Sequence, residues 1–143
     1  MTVTPLRQED RPRWIELWTG YLEFYETTLP PEQYDFTWTR LHDGRLHGMA
    51  ARDADGRMTG LVHYLFHEHC WATQPACYLQ DLFVDPAVRG TGAGRALIEA
   101  VADAVRAVGG TRLYWNTQTD NVTARRLYDR MARQNFVRYD YPV

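Results

Sequence analysis

The apolar positions of the chain fall into two periods. From Val3 to Arg7 apolar and polar residues alternate, the pattern of a half-buried strand. Trp14, Leu17, Trp18, Tyr21, Leu22 and Tyr25 then recur at helical spacing. Asp10 is placed to cap that helix, and Pro12 suits a first turn, where a missing N–H costs little. Pro30-Pro31 ends the segment, and a second short helix is predicted over Glu32–Leu41, stopping near Asp43-Gly44. His47–Arg52 and Thr59–Glu68 read as strands joined by Asp53-Ala54-Asp55-Gly56, a strong hairpin signal. Ala76–Val84 reads as a third strand, closed by Asp85-Pro86.

The stretch Arg89-Gly90-Thr91-Gly92-Ala93-Gly94-Arg95 opens directly into a helix with Leu97, Ile98, Val101, Val105 and Val108 on one face. Gly109-Gly110 closes it. Arg112–Thr117 is predicted as a strand. Asp120 or Asn121 caps a further helix with the stripe Ala124, Leu127, Tyr128 and Met131, and Phe136–Tyr141 alternates as a last strand. The predicted order is β-α-α-β-β-β-α-β-α-β, a mixed α/β sheet. No linker or repeat divides the chain, so residues 1–143 are read as one domain.

Composition narrows the class. The chain is 45% apolar and 24% charged, a globular profile. Its net charge of −2, from 16 basic and 18 acidic residues, argues against a nucleic-acid partner, which calls for a basic excess. No apolar run approaches the roughly eighteen residues of a membrane span, and Met1–Pro12 has no signal-peptide core, so a cytoplasmic protein is expected. Cys70 and Cys77 have no CxxC spacing and read as two buried thiols. All the basic residues are Arg, and Lys is absent. GC-rich codon usage is the plain reading of that absence.

The candidate chemistry centres on the glycine stretch. Glycines admit close backbone approach, and the amides of a helix N-terminus attract anions. A P-loop is excluded because it needs Lys. A Rossmann fingerprint needs a third Gly where Arg95 stands, and its acidic partner about twenty residues on is missing. Arg89–Gly94 instead fits the pattern [Q/R]-x-x-G-x-[G/A]. With Tyr78-Leu79-Gln80-Asp81-Leu82-Phe83-Val84-Asp85-Pro86 before it and Asn121-x-x-Ala124-x-x-Leu127-Tyr128 after it, the chain resembles the GNAT N-acetyltransferases over nearly its whole length. Trp18-x-x-Tyr21-Leu22-x-Phe24-Tyr25 and Tyr114-Trp115-x-Thr117 are similar to the histone/polyamine acetyltransferase-like branch.

The resemblance implies a mostly antiparallel sheet flanked by helices, and an enzyme that moves an acetyl group from acetyl-CoA to a primary amine of a small molecule such as an amino acid or polyamine, within a ternary complex. It implies that Arg89, Gly90, Thr91, Gly92, Ala93, Gly94 and Arg95 hold the pyrophosphate. It further implies that Leu82, Phe83 and Val84 pair with the pantetheine arm, and that Asn121 and Ala124 contact the cofactor. Tyr128 matches the general acid that protonates the departing thiolate. Asn121 reads equally as an N-cap, and Tyr128 as core.

The general base is where the sequence departs from its relatives. The polyamine acetyltransferases often carry Glu-Asp where this chain has Gln80-Asp81. Gln accepts no proton, and Asp81 faces the opposite side of a regular strand unless a bulge intervenes. Tyr25, Glu23, Glu26 and a water chain remain as candidates, and Tyr25, Glu26, Gln80 and Asp81 are taken as substrate-side residues. An acyl-CoA-binding module without catalysis, or an acetyltransferase of protein amines, are the alternative functions. His63, His67 and His69 share a strand face by period two but lack a fourth ligand, so no metal is expected. An open edge at the last strand is expected to pair two subunits.

Overall fold

A computed structural model describes residues 1–143. Strand β1 (Thr2–Pro5) leads through a 3-10 turn at Gln8–Asp10 into α1 (Arg11–Phe24), and α2 (Pro31–Arg40) follows. Strands β2 (His47–Arg52), β3 (Met58–His67) and β4 (Ala76–Val84) come next, then α3 (Ala93–Ala107), β5 (Leu113–Tyr114) and α4 (Val122–Met131). The sheet runs β1-β2-β3-β4-β5, antiparallel except where β5 joins β4 in parallel. The α/β class and mostly antiparallel sheet are as expected.

Each face of the sheet carries its own apolar cluster. Trp14, Leu17, Trp18 and Leu22 of α1 and Trp38 of α2 pack on Leu61 and Phe83. Leu97, Ile98, Val101 and Val105 of α3 pack on Val62, Cys77 and Leu79. Leu61 and Val62, neighbours on β3, enter different clusters, as strand alternation requires. The Asp53–Gly56 hairpin forms as predicted, with Asp53 N–H donating to the Arg57 carbonyl at 3.0 Å and Gly56 at φ +81°.

On β4 the alternation breaks. His63 pairs with Asp81 while the next residue, Tyr64, pairs with Leu79, so Gln80 is an extra residue in the strand. This bulge flips the sides. Leu79 joins the α3 cluster, whereas Phe83 joins the α1 cluster. Asp81 turns to the α1 face beside His63.

Four expectations are corrected. Asp10 does not cap α1 with its side chain. Its carboxylate instead accepts the Arg7 N–H at 2.7 Å and both Arg52 Nη groups at 2.9 and 2.7 Å, because an ion pair this deep needs every lone pair satisfied. Cys70 is exposed, since it lies in the connection beyond β3, and only Cys77 is buried. The predicted strand Arg112–Thr117 shrinks to Leu113–Tyr114 because Trp115, Asn116 and Thr117 turn aside to wall a cavity. The last strand, Phe136–Tyr141, does not form. Alternation supplies a strand face but no partner, and the two-residue β5 offers almost no ladder to join. Phe136, Val137, Tyr139 and Tyr141 are all at least 79% exposed.

Candidate active site

Strand β4 touches β5 only at Cys77 and Tyr78. Beyond that point the two chains diverge, and the gap is a cavity of about 560 Å³. Leu79, Gln80, Leu82, Phe83 and Val84 form one wall and Trp115, Asn116 and Thr117 the other. The β4 residues past Tyr78 have no strand partner on this side, which leaves an edge for an extended ligand to pair with.

The glycine loop closes one end. Gly90 and Gly92 sit at φ +83° and +87°, the left-handed region that side chains disfavour. Space is not the constraint, since a Cβ at Gly90 would meet nothing within 4 Å. The conformation is, because it sets the direction in which α3 begins. The first amides of α3 have no acceptor within the helix, and Gly92, Ala93 and Gly94 line the cavity there. Asp85 fixes the approach to this loop by accepting the Ala87 N–H at 2.9 Å and pairing with Arg13. Arg89 lies over the Phe83 ring, 5.8 Å from its centre, and its Nε–H donates to the Val84 carbonyl at 3.4 Å. Arg95 reaches Glu99 at 3.6 Å on the exposed side of α3. Both residues contribute to the cavity lining.

Helix α4 forms the far wall. Its apolar stripe is only half-buried because it covers the cavity, and no α4 residue is fully buried. Asn121, Ala124 and Tyr128 all line it. Asn121 stands at the N-cap position but does not cap, since its Nδ2 donates to Thr117 Oγ1 at 3.0 Å and ties α4 to the β5 wall. Tyr128 meets Trp115 edge-on, with 5.4 Å between ring centres. Burial, helped by the neighbouring Tyr25, pushes its phenol up to about 12, so it keeps its proton at neutral pH.

Of the other predicted residues, Tyr25 and Gln80 reach the cavity and three do not. Thr91 turns back into its loop, donating to the Val88 carbonyl at 2.9 Å. Glu26 is exposed at φ +53°, beyond the end of α1, and Glu23 lines an adjoining cleft with Arg13 and Arg89. Asp81 lies behind the wall, 8% exposed. The three histidines do not gather: His63 is buried, His67 meets the Tyr114 hydroxyl at 2.8 Å, and His69 lies past the end of β3. No group of three or more His, Cys, Asp and Glu side chains stands where it could share a metal ion.

One polar assembly is not evident from spacing. Trp14 Nε1–H donates to His63 Nε2 at 3.0 Å, which places the imidazole proton on Nδ1, facing Asp81 Oδ2 at 3.0 Å. Burial first, then the neighbouring Asp81 and Tyr25, hold the Tyr21 hydroxyl far above an ordinary phenol. Tyr21 and Tyr25 line the cavity. The sequence shows Trp14 and Tyr21 on a helical stripe. That the stripe meets His63 follows only from packing, and that Asp81 meets it follows from the bulge at Gln80.

Comparisons with known proteins place the family and the fold. The model of the acetyltransferase (GNAT) family matches residues 6–132. The chain is 34% identical over 135 residues to the D-amino-acid N-acetyltransferase HPA3 of Saccharomyces cerevisiae, covering 92% of this chain and 84% of that protein. A crystal structure of a probable acetyltransferase superposes with a TM-score of 0.90 at 20% identity, over 100% of this chain and 98% of the other. A ribosomal-protein-alanine N-acetyltransferase from Brucella melitensis biovar Abortus 2308 superposes with a TM-score of 0.85 at 21% identity, over 99% of each chain.

Proposed function

The chain belongs to the GNAT acetyltransferase family and is an N-acetyltransferase, and on that premise we propose that it acetylates the primary amine of a small molecule, an amino acid foremost, with acetyl-CoA as donor. The observation that carries this reading is the opening between β4 and β5, with the left-handed glycines and Tyr128 both on its walls. The donor fits what is there. The amides of Gly92, Ala93 and Gly94 would hold a pyrophosphate at the start of α3, with Arg89 and Arg95 adding charge. The free β4 edge at Leu82–Val84 would take the pantetheine amides as an added strand does. Ala124 and Asn121 would wall the other side. The amine attacks the thioester directly, with both reactants held in one cleft. Tyr128 protonates the leaving thiolate.

An amino acid is preferred because the curated relative acts on D-amino acids, which leaves the polyamine-like branch without support here. Tyr21, Phe24 and Tyr25 offer aromatic faces to a cationic amine at the cavity mouth. We take the protein to be cytoplasmic and dimeric; no helix is long and apolar enough to cross a membrane, and the exposed apolar tail after α4 is the surface for a second copy. The test is thiol release from acetyl-CoA with D- and L-amino acids, polyamines and a lysine peptide in parallel. Turnover with an amino acid above the rest is expected. Preference for the peptide or the polyamines overturns the substrate class, and no turnover with any amine overturns the reading.

A further inference from the structure

Beside the donor cavity lies a second cleft, of about 530 Å³, along the outer face of α1. Leu17, Gly20, Phe24, Phe83 and Pro86 give it an apolar floor. Phe24, Phe83 and Arg89 line the donor cavity as well, so the two spaces share a border. Gly20 keeps the floor open, since a Cβ there would come within 3.0 Å of the tip of the Phe83 ring. With no side chain at Gly20, the ring packs close against the helix.

Most of the charge in the cleft is already paired. Arg13 donates to the Met58 carbonyl at 3.0 Å and to Glu16 at 2.6 Å, and it pairs with Asp85. Two groups are left. The exposed Glu23 carboxylate, next to Phe24, has no partner, and Arg89 spends only its Nε–H, on the Val84 carbonyl. The Phe83 ring under Arg89 belongs to the α1 cluster, whereas Ala93 belongs to the α3 cluster. The guanidinium therefore lies over the α1 face of the sheet, while α3 begins on the other. Tyr21, on the cavity wall, meets the same Phe83 ring edge-on, with 6.4 Å between centres. Phe83 thus spans the distance from the free cation in the cleft to the aromatic mouth of the cavity.

We propose that this cleft is the acceptor's subsite, in which Arg89 holds the α-carboxylate of an amino acid and the apolar floor takes its side chain. The proposal rests on the amino-acid reading above and narrows it to apolar α-amino acids. One carbon separates amine from carboxylate in such a molecule. Lying across Phe83, it meets Arg89 with its carboxylate while its amine points past Tyr21 into the cavity. The two free Nη groups offer the parallel N–H bonds that a carboxylate accepts. Glu23 puts negative charge on the ammonium side. A polyamine has no carboxylate and brings its own positive charge against Arg89.

The test compares leucine with isoamylamine, which is leucine without its carboxylate, on wild type and Arg89→Ala at saturating acetyl-CoA. The ratio of kcat/KM for leucine to that for isoamylamine is expected to fall at least about tenfold in the variant, mainly through the KM of leucine, the scale of one charge-assisted pair. The amines' own reactivities cancel, because the same two are compared on both proteins. Any contribution of Arg89 to the donor costs both acceptors alike. A ratio that survives the substitution overturns the cleft and leaves the amino-acid reading standing. Gly20→Ala is the second variant, and it decides the matter if Arg89→Ala no longer binds the donor. Its methyl pushes the Phe83 ring into the cleft, so KM for leucine should rise several-fold more than KM for glycine, and equal changes overturn the cleft. A wild type that favours isoamylamine or polyamines overturns the amino-acid reading and the cleft with it.

Discussion

Helices α1 and α4 both present an apolar stripe to the cavity, and they are held in opposite ways. Helix α1 sinks Trp14, Leu17, Trp18 and Leu22 into the core, and Trp14 is wholly inaccessible. Helix α4 buries no residue fully and hangs on a strand of two residues. The same candidate site therefore has a rigid wall, carrying Tyr21 with Asp81 and His63 beneath it, and an adjustable wall, carrying Asn121 and Tyr128. Local stability follows buried apolar contact. Changes on the first wall should show as lost folding stability, and changes on the second as lost activity in a folded protein.

The largest effect is expected from Arg52→Met. It leaves the Asp10 carboxylate buried without its guanidinium, which costs about 3–5 kcal/mol in chemical denaturation. Burial works against the Asp10 charge, but the Arg52 hydrogen bonds, then Arg7, win and hold its carboxyl below the usual 3.8. A lowered carboxylate contributes stability above its ordinary value and loses it as the pH falls through the folded value. The gap between wild type and variant should thus be full at neutral pH and narrow below about 3.8. A gap that widens on acidification would show that Asp10 is not the group stabilised.

Tyr128→Phe sets the other side of the comparison. The ring keeps its packing on Trp115, so denaturation should move by less than about 1 kcal/mol, while kcat falls about 100-fold. Acetyl-CoA affinity should stay within about twofold. Equal losses of stability and activity would make Tyr128 a core residue. The glycine loop falls between the walls. Gly92→Val forces a branched side chain into left-handed backbone, about 1–2 kcal/mol of strain, and should weaken acetyl-CoA binding by at least about tenfold in calorimetry. Unchanged affinity would remove the loop from the donor site.

How far the sequence reaches follows the same division. Elements held by their own pattern were legible: the α1 and α3 stripes, the Asp53–Gly56 hairpin, and the glycine loop at the start of α3. Those that depend on a partner were not. Phe136–Tyr141 has a strand's alternation and no strand beside it. Asp10 has a cap's position, but Arg52, distant in sequence, takes its carboxylate. Asn121 likewise spends its amide on Thr117. The relation of Asp81 to the site turns on a single extra residue, Gln80, and a bulge is fixed by cross-strand register, which period-two counting cannot see. The glycine motif could be matched to a family because backbone conformation is written locally. The tyrosine–carboxylate assembly needed three elements to come together.

The smallest effect is expected from removing residues 135–143. The cut keeps Gln134, which accepts a hydrogen bond from Arg125 of α4 at 3.1 Å. Beyond it every residue is exposed, and the Arg138–Asp140 ion pair lies within the tail itself. Exposed ion pairs contribute little, and surface changes of this kind usually stay within about 0.5 kcal/mol. The truncated chain should therefore unfold within about 3 °C of the full one and keep its kcat. What should change is association. Val137, Tyr139, Tyr141 and Val143 alternate with Arg138, Asp140 and Pro142, so an extended tail offers one largely apolar face and an unpaired backbone. Light scattering should find the full chain dimeric and the truncated chain monomeric at the same concentration. A loss of thermal stability well beyond 3 °C in a chain that is monomeric from the start would instead place the tail on the α4 wall of its own molecule, and that wall would then be less free than its lack of buried residues indicates.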